Sequence, residues 1–261
     1  MIGCLRNMQR FFEPVSGRCV LLALDHGVGE GMMPNASPLP ELLKLAQEKR
    51  IQGVLLNKGM ARAYGERIGP GTGLVVQLSA GTRHGLPPYS KSVVCAVPEA
   101  LRLGADAVSL HINIGNDLED RMLADLGLAI DEAHQLGLPV LALIGARGGQ
   151  IVNERDPSLI AHCIRLGAEL GADIIGVPYS GQPDSFTAAV ASSPSPVLVT
   201  GGPSADTASF LNTMRQALEA GASGVCIGRN ITQSPRPAKA LTELLALVHG
   251  EGRTESPAMK K

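Results

Sequence analysis

The sequence predicts an α/β chain folded as a single-domain (β/α)₈ TIM barrel. Three observations lead there: eight short apolar runs, a helix-like segment after nearly every run, and a recurring Gly-Ala junction. The runs span residues 19–24, 53–56, 74–78, 107–110, 140–144, 173–177, 197–200 and 224–227. They are continuously apolar rather than alternating, as expected of strands covered on both faces in a parallel sheet. A doubly wound open sheet is the alternative arrangement of the same elements.

The junction appears as Leu103-Gly104-Ala105-Asp106, Leu170-Gly171-Ala172-Asp173 and Ala220-Gly221-Ala222-Ser223, with a looser form at residues 49–53. Glycine ends a helix in the left-handed conformation, and the next residues start a strand. Asp156-Pro157 reads as a capping carboxylate before a first-turn proline, opening a helix over 158–170. Within it Leu159, Cys163, Leu166 and Leu170 recur at helical spacing and make one apolar face. Asn116 or Asp117 opens a longer helix ending near Leu136, and Ser204 or Asp206 opens another ending near Ala220. No composition shift divides the chain, so residues 1–250 form the barrel and 251–261 a polar tail.

The 261 residues include 44% hydrophobic side chains, enough for a sizeable core. A net charge of −1 and 3% aromatics argue against a nucleic-acid binder. No stretch approaches the roughly 18 apolar residues of a membrane helix, and residues 1–14 lack the layout of a signal peptide. The five cysteines (Cys4, Cys19, Cys95, Cys163, Cys226) are scattered and odd in number, which suits buried, reduced thiols and a cytoplasmic setting. No Asp, Glu and His set has metal-ligand spacing, and no cofactor fingerprint is present, so neither a metal nor a cofactor is expected.

In such a barrel the active site lies at the C-terminal ends of the strands. The seventh and eighth runs end in Gly201-Gly202 and Gly228-Arg229, matching the usual barrel phosphate site, where backbone N–H groups approach an anion and an arginine adds charge-assisted bonds. Asp25 and His26 follow the first run and are candidates for proton transfer. His111 follows the fourth run, and faces either the site or the packed layer beneath it. Arg147 follows the fifth run and could steady an enediolate. Tyr179 follows the sixth. His84, His134, His162 and His249 fall on loops or helices and are read as solvated.

These residues resemble the archaeal-type class I fructose-bisphosphate aldolases and the related 2-amino-3,7-dideoxy-D-threo-hept-6-ulosonate synthases, which are DeoC/LacD-type aldolases. The anchors are Leu24-Asp25-His26-Gly27-Val28, His111-Ile112-Asn113-Ile114-Gly115, residues 153–157 (Asn-Glu-Arg-Asp-Pro), residues 167–173, Gly201-Gly202-Pro203 and Gly228-Arg229-Asn230-Ile231. The resemblance runs from about Val20 to His249. It implies a barrel, a phosphorylated sugar or ketone as ligand, and a homo-oligomer.

The family's chemistry implies two further residues: a Schiff-base lysine at the end of the sixth strand and a proton-moving tyrosine at the end of the fifth. Relatives read roughly Asp-Ile-Val-Lys-Thr and Met-Tyr-Pro-Arg-Gly there. This chain reads Asp173-Ile174-Ile175-Gly176-Val177 and Ile144-Gly145-Ala146-Arg147-Gly148. Glycine supplies neither amine nor phenol, so Gly145 and Gly176 mark lost catalytic positions, and the paired glycines enlarge the pocket. Lys58 and Lys91 are the lysines able to substitute, with Lys58 the better placed by its strand end. Tyr179 and Tyr89 are the replacement phenols. The expectation is a carbon–carbon lyase or synthase of non-standard mechanism acting on a phosphorylated ketose. The alternatives are an imine-free isomerase, epimerase or eliminating enzyme on a sugar phosphate, and a non-catalytic sugar-phosphate-binding paralogue.

Overall fold

The computed structural model describes residues 2–203 and 206–250. The eight apolar runs form the parallel strands β1 (Cys19–Ala23), β2 (Gly53–Asn57), β3 (Gly73–Gln77), β6 (Ala107–Ile114), β7 (Val140–Ala146), β8 (Ile174–Pro178), β9 (Val197–Thr200) and β10 (Gly224–Ile227). They close in the order β1-β10-β9-β8-β7-β6-β3-β2, with β2 paired back to β1. A closed eight-stranded parallel ring rules out the open sheet. Two short strands, β4 (Ser79–Ala80) and β5 (Ser92–Val93), make an antiparallel hairpin above the ring.

The helices are α1 (Ile2–Phe11), α2 (His26–Glu30), α3 (Leu39–Glu48), α4 (Lys58–Tyr64), α5 (Val97–Arg102), α6 (Glu119–Gln135), α7 (Pro157–Glu169), α8 (Pro183–Ala191), α9 (Thr207–Glu219), α10 (Arg229–Thr232) and α11 (Pro237–His249). The junction glycines Gly104, Gly171 and Gly221 have φ of 85°, 89° and 97°, the left-handed ends required of them. Asp156 caps α7 by accepting from the Ser158 and Leu159 amides, and Asp206 caps α9 by accepting from Ser209. Ser204 and the tail 251–261 lie outside the described residues. The helix expected from Asn116 begins instead at Glu119. The Asn116 side chain is used in the loop, donating to the Asn113 and Arg147 carbonyls.

Burial on both faces of the strands separates two apolar layers. One lies between strands and helices and includes Val20, Leu56, Val76, Ile144 and Ile175. The other fills the ring, with Leu21, Leu55, Val75, Leu141, Leu143, Leu198 and Cys226 pointing inward. Alternation along a strand fixes this division, and it carries His111, Gly145 and Gly176 to the inside through the pairings His111↔Leu143, Asn113↔Gly145 and Leu143↔Gly176. Phe11, at the end of α1, is fully buried and plugs the bottom of the ring. A Cβ on Gly53 or Gly73 would lie 3.0 and 2.6 Å from its ring, so glycine makes room for the plug.

Two histidines expected to be solvated are instead fastenings at that end. His134 bonds the Asp173 carboxylate at 2.8 Å, and His249 bonds Ser16 at 2.7 Å and Gln52 at 3.1 Å. All five cysteines are buried and unpaired. Among the described residues no helix is long and apolar enough to cross a membrane.

Candidate active site

The C-terminal mouth of the ring holds two adjoining cavities of 260 and 180 Å³. Both are lined by Asp25, His26, His111, Arg147 and Arg229. The first extends under the β4–β5 hairpin to Gln77, Ser79, Arg83 and Lys91. The second extends over Leu143, Gly145 and Gly176 to Arg155, Gly201, Gly202 and Gly228.

Asp25 sits at the turn between β1 and α2, which places its carboxylate at the centre of the mouth. Its carbonyl accepts from the Asn57 side chain at 2.7 Å, and His26 Nδ1 lies 3.5 Å from the carboxylate. Burial raises the Asp25 pKa above the usual carboxylate value, while His26, Lys91 and Arg229 oppose that rise. His111 is held by two bonds between its backbone and the Ser79 hydroxyl. Burial first, then the charges of Lys91 and Arg147, push its pKa down to about 3. It is therefore neutral at physiological pH, and its two ring nitrogens can donate one hydrogen bond and accept another.

Around this centre stand cations. Arg229 pairs with Glu30 at 2.7 Å, and Arg147 with Glu154 at 3.2 Å. Among the described residues no carboxylate lies within salt-bridge distance of Lys91 or Arg155. A Cβ on Gly202 would lie 3.2 Å from the Arg155 guanidinium, so the glycine lets this arginine close over the β9 loop. Asn230 donates to the Gly201 and Pro203 carbonyls and fixes that loop. The Gly201 amide itself is spent on the Cys226 carbonyl at 3.2 Å, so it is not a free anion donor. A concentration of positive charge inside a chain of net charge −1 suits an anionic ligand.

Several expected site residues are placed elsewhere. Lys58 is absent from the lining of both cavities. Its ammonium lies on Glu99 at 3.1 Å, drawn outward by an acid on α5. Tyr179 packs edge-on against Phe186 in the strand–helix layer and is 4% exposed. Tyr89 donates to Asp117 at 2.7 Å outside the mouth. Gly145 and Gly176 do not simply leave space either. The Leu143 side chain covers Gly176, where a Cβ would lie 2.5 Å from Leu143 Cδ2, and at Gly145 a Cβ would lie 3.2 Å from Asn113 Oδ1. Arg155 and Arg83 were not assigned a role from sequence. For Arg155 the available signal was its place in the 153–157 anchor.

At the opposite end, Cys4, His134 and Asp173 bring three potential metal-ligand atoms within 4.8 Å of one another. Their separations, 3.2 Å for Cys4–Asp173 and 2.8 Å for His134–Asp173, are those of direct hydrogen bonds.

A closed parallel barrel that gathers titratable groups and cations at the C-terminal ends of its strands is the architecture of a (β/α)₈-barrel enzyme. Comparison with known proteins narrows the class. The family model of the DeoC/LacD family aldolases matches residues 19–234, and the chain belongs to that family. It is 35% identical over 247 residues to the 2-amino-4,5-dihydroxy-6-oxo-7-(phosphonooxy)heptanoate synthase of Streptomyces griseus, covering 94% of this chain and 90% of that one. It is 34% identical over 257 residues to 2-amino-3,7-dideoxy-D-threo-hept-6-ulosonate synthase 1 of Archaeoglobus fulgidus, covering 98% and 94%. An archaeal fructose-1,6-bisphosphate aldolase, solved with its catalytic Lys covalently bound to the carbinolamine intermediate of the substrate, superposes with a TM-score of 0.85 at 33% identity. That superposition covers 94% of this chain and 99% of the other.

Proposed function

We propose that the protein makes or breaks a carbon–carbon bond in a phosphorylated ketose, by a route that uses neither Gly145 nor Gly176. The observation that carries this reading is Asp25, a carboxylate of raised pKa whose side chain is 22% exposed, in a mouth also lined by Lys91, Arg147, Arg155 and Arg229. In this reading the phosphate lies by Gly202, Gly228, Arg155 and Arg229, with Gly201 shaping the loop. Asp25 removes and returns the proton on the carbon beside the ketone. Arg147 steadies the oxygen that gains charge, and neutral His111 relays the proton. The named relatives support the substrate class, since the Streptomyces griseus enzyme is named for a product bearing both an oxo and a phosphonooxy group. A homo-oligomer in the cytoplasm belongs to the same reading, and light scattering of the purified chain tests the assembly.

The test is exchange of the α-protons of dihydroxyacetone phosphate with D₂O, followed by proton NMR. The wild type is expected to exchange them and Asp25→Asn to fail. Exchange by Asp25→Asn at the wild-type rate would remove Asp25 from the mechanism. The paired proton carriers Asp25 and His111 also suit an isomerase. Formation of glyceraldehyde 3-phosphate in the same tube, without carbon–carbon bond formation from added aldehydes, would favour that reading.

A further inference from the structure

We propose that Lys91, carried into the mouth by the β4–β5 hairpin, is the amine that forms the imine with the substrate ketone. This rests on the aldolase reading above. Lys91 lines the same cavity as Asp25, His26, His111, Arg147 and Arg229. The hairpin pairing Ala80↔Ser92 fixes the backbone next to it. Its stem passes Gly81, where an added Cβ would run into the Ser90 carbonyl and lie 3.3 Å from Lys91 Cδ, so the glycine lets the backbone that carries Lys91 close against β4.

The other described lysines offer nothing comparable. Lys58 is held by Glu99, Lys44 by Glu48 and Lys239 by Glu243, and Lys49 follows α3 on the outside of the ring. Among the described residues no carboxylate lies within salt-bridge distance of Lys91 to keep it charged. Burial and the neighbouring Arg147 both lower its pKa, against a smaller opposing pull from Asp25. A buried lysine beside another cation is more often unprotonated, the form that attacks a carbonyl.

The neutral Lys91 amine attacks the ketone carbon. A C–N bond forms as the C=O π bond breaks, and the oxygen takes that electron pair and a proton from solvent, which the final hydrolysis returns. Loss of water leaves a protonated imine. Asp25 then removes the adjacent C–H proton, and that electron pair becomes the double bond of an enamine. The enamine carbon attacks the aldehyde partner, whose oxygen takes up the proton. Water hydrolyses the resulting iminium, freeing product and amine. No oxidant or reductant is needed.

The experiment is borohydride reduction of the whole protein with dihydroxyacetone phosphate, followed by peptide mass mapping. A ligand-dependent adduct is expected on Lys91. Lys91→Arg, which keeps the charge but not the nucleophile, is expected to lose both the adduct and at least 10³-fold of α-proton exchange, with the KM of the phosphate ligand changed only a few-fold. Lys91→Met with an unchanged melting curve excludes misfolding as the cause, and Lys58→Met is expected to keep the adduct. An adduct mapped to another lysine overturns the assignment, as does a Lys91→Arg variant that raises KM while keeping kcat. If the ligand binds and exchanges its protons but is never trapped, the assignment falls and the aldolase reading stands. If the ligand leaves the melting temperature unchanged, both fall.

Discussion

A lysine placed at position 176 should destabilise the mouth of the barrel, because Leu143 stands over that backbone. The Cβ of Gly176→Lys would lie 2.5 Å from Leu143 Cδ2, whereas its next neighbours, Thr200 Cγ2 at 3.6 Å and Leu141 Cδ1 at 3.7 Å, are in ordinary contact. One side chain therefore carries the whole conflict. Leu143 Cδ2 is a side-chain tip lining the second cavity, so relief comes by turning Leu143 off its preferred rotamer into that space. Such overpacking costs about 1–2 kcal/mol. The new ammonium also enters a mouth already holding Arg147, Arg155 and Arg229. The total is roughly 1–3 kcal/mol, or a melting temperature lower by about 2–10 °C for a chain of this size. Urea melts of the parent, Gly176→Lys, Leu143→Ala and the double variant read it directly. Leu143→Ala alone should cost about 2–5 kcal/mol, and the double variant should recover about 1–2 kcal/mol relative to the sum of the singles. A Gly176→Lys variant as stable as the parent, with no coupling to Leu143→Ala, would refute the inference that Leu143 fills the space over Gly176.

Three further outcomes follow from the same geometry. Asp25→Asn should lower turnover about 10²–10⁴-fold. It should also raise stability at pH 7 by about 1 kcal/mol, because a carboxyl whose pKa is raised by folding loses stability as pH climbs through that raised value; a destabilised Asp25→Asn would contradict this. His111, with a folded pKa near 3 against 6.5 unfolded, makes the fold weaken as pH falls below 6.5. The slope is at most about 1.4 kcal/mol per pH unit, and it should shrink in His111→Gln when urea midpoints are compared between pH 7 and 5. Phe11→Ala should cost about 3–5 kcal/mol by emptying the bottom of the ring, measured by chemical denaturation; a loss under 1 kcal/mol would mean that α1 does not plug the barrel.

The barrel was readable because its strands are buried on both faces, so each appears as an apolar run, and because Gly104, Gly171 and Gly221 mark helix ends by their backbone conformation. The fourth run was read too short. β6 continues through His111, which is polar where it lines the mouth, and Asn113, which donates to the Tyr89 carbonyl, to Ile114. The N-terminal plug was missed because Phe11 shows its role only against Gly53 and Gly73, far along the chain. The choice between Lys58 and Lys91 turned on partners that no local pattern reveals. Glu99, 41 residues away, draws Lys58 outward, and a hairpin of two two-residue strands, too short to show a period, brings Lys91 in. Glycine at positions 145 and 176, at two strand ends, was legible. That Leu143 covers one of them was not, because it depends on cross-strand register.

A structure of the protein soaked with dihydroxyacetone phosphate tests the central claim most directly. The account predicts the phosphate between Arg155, Gly202, Gly228 and Arg229, with the ketone carbon turned towards Asp25 and the Lys91 amine. A phosphate bound instead at Arg83 under the hairpin, with the ketone facing away from Asp25, would contradict it.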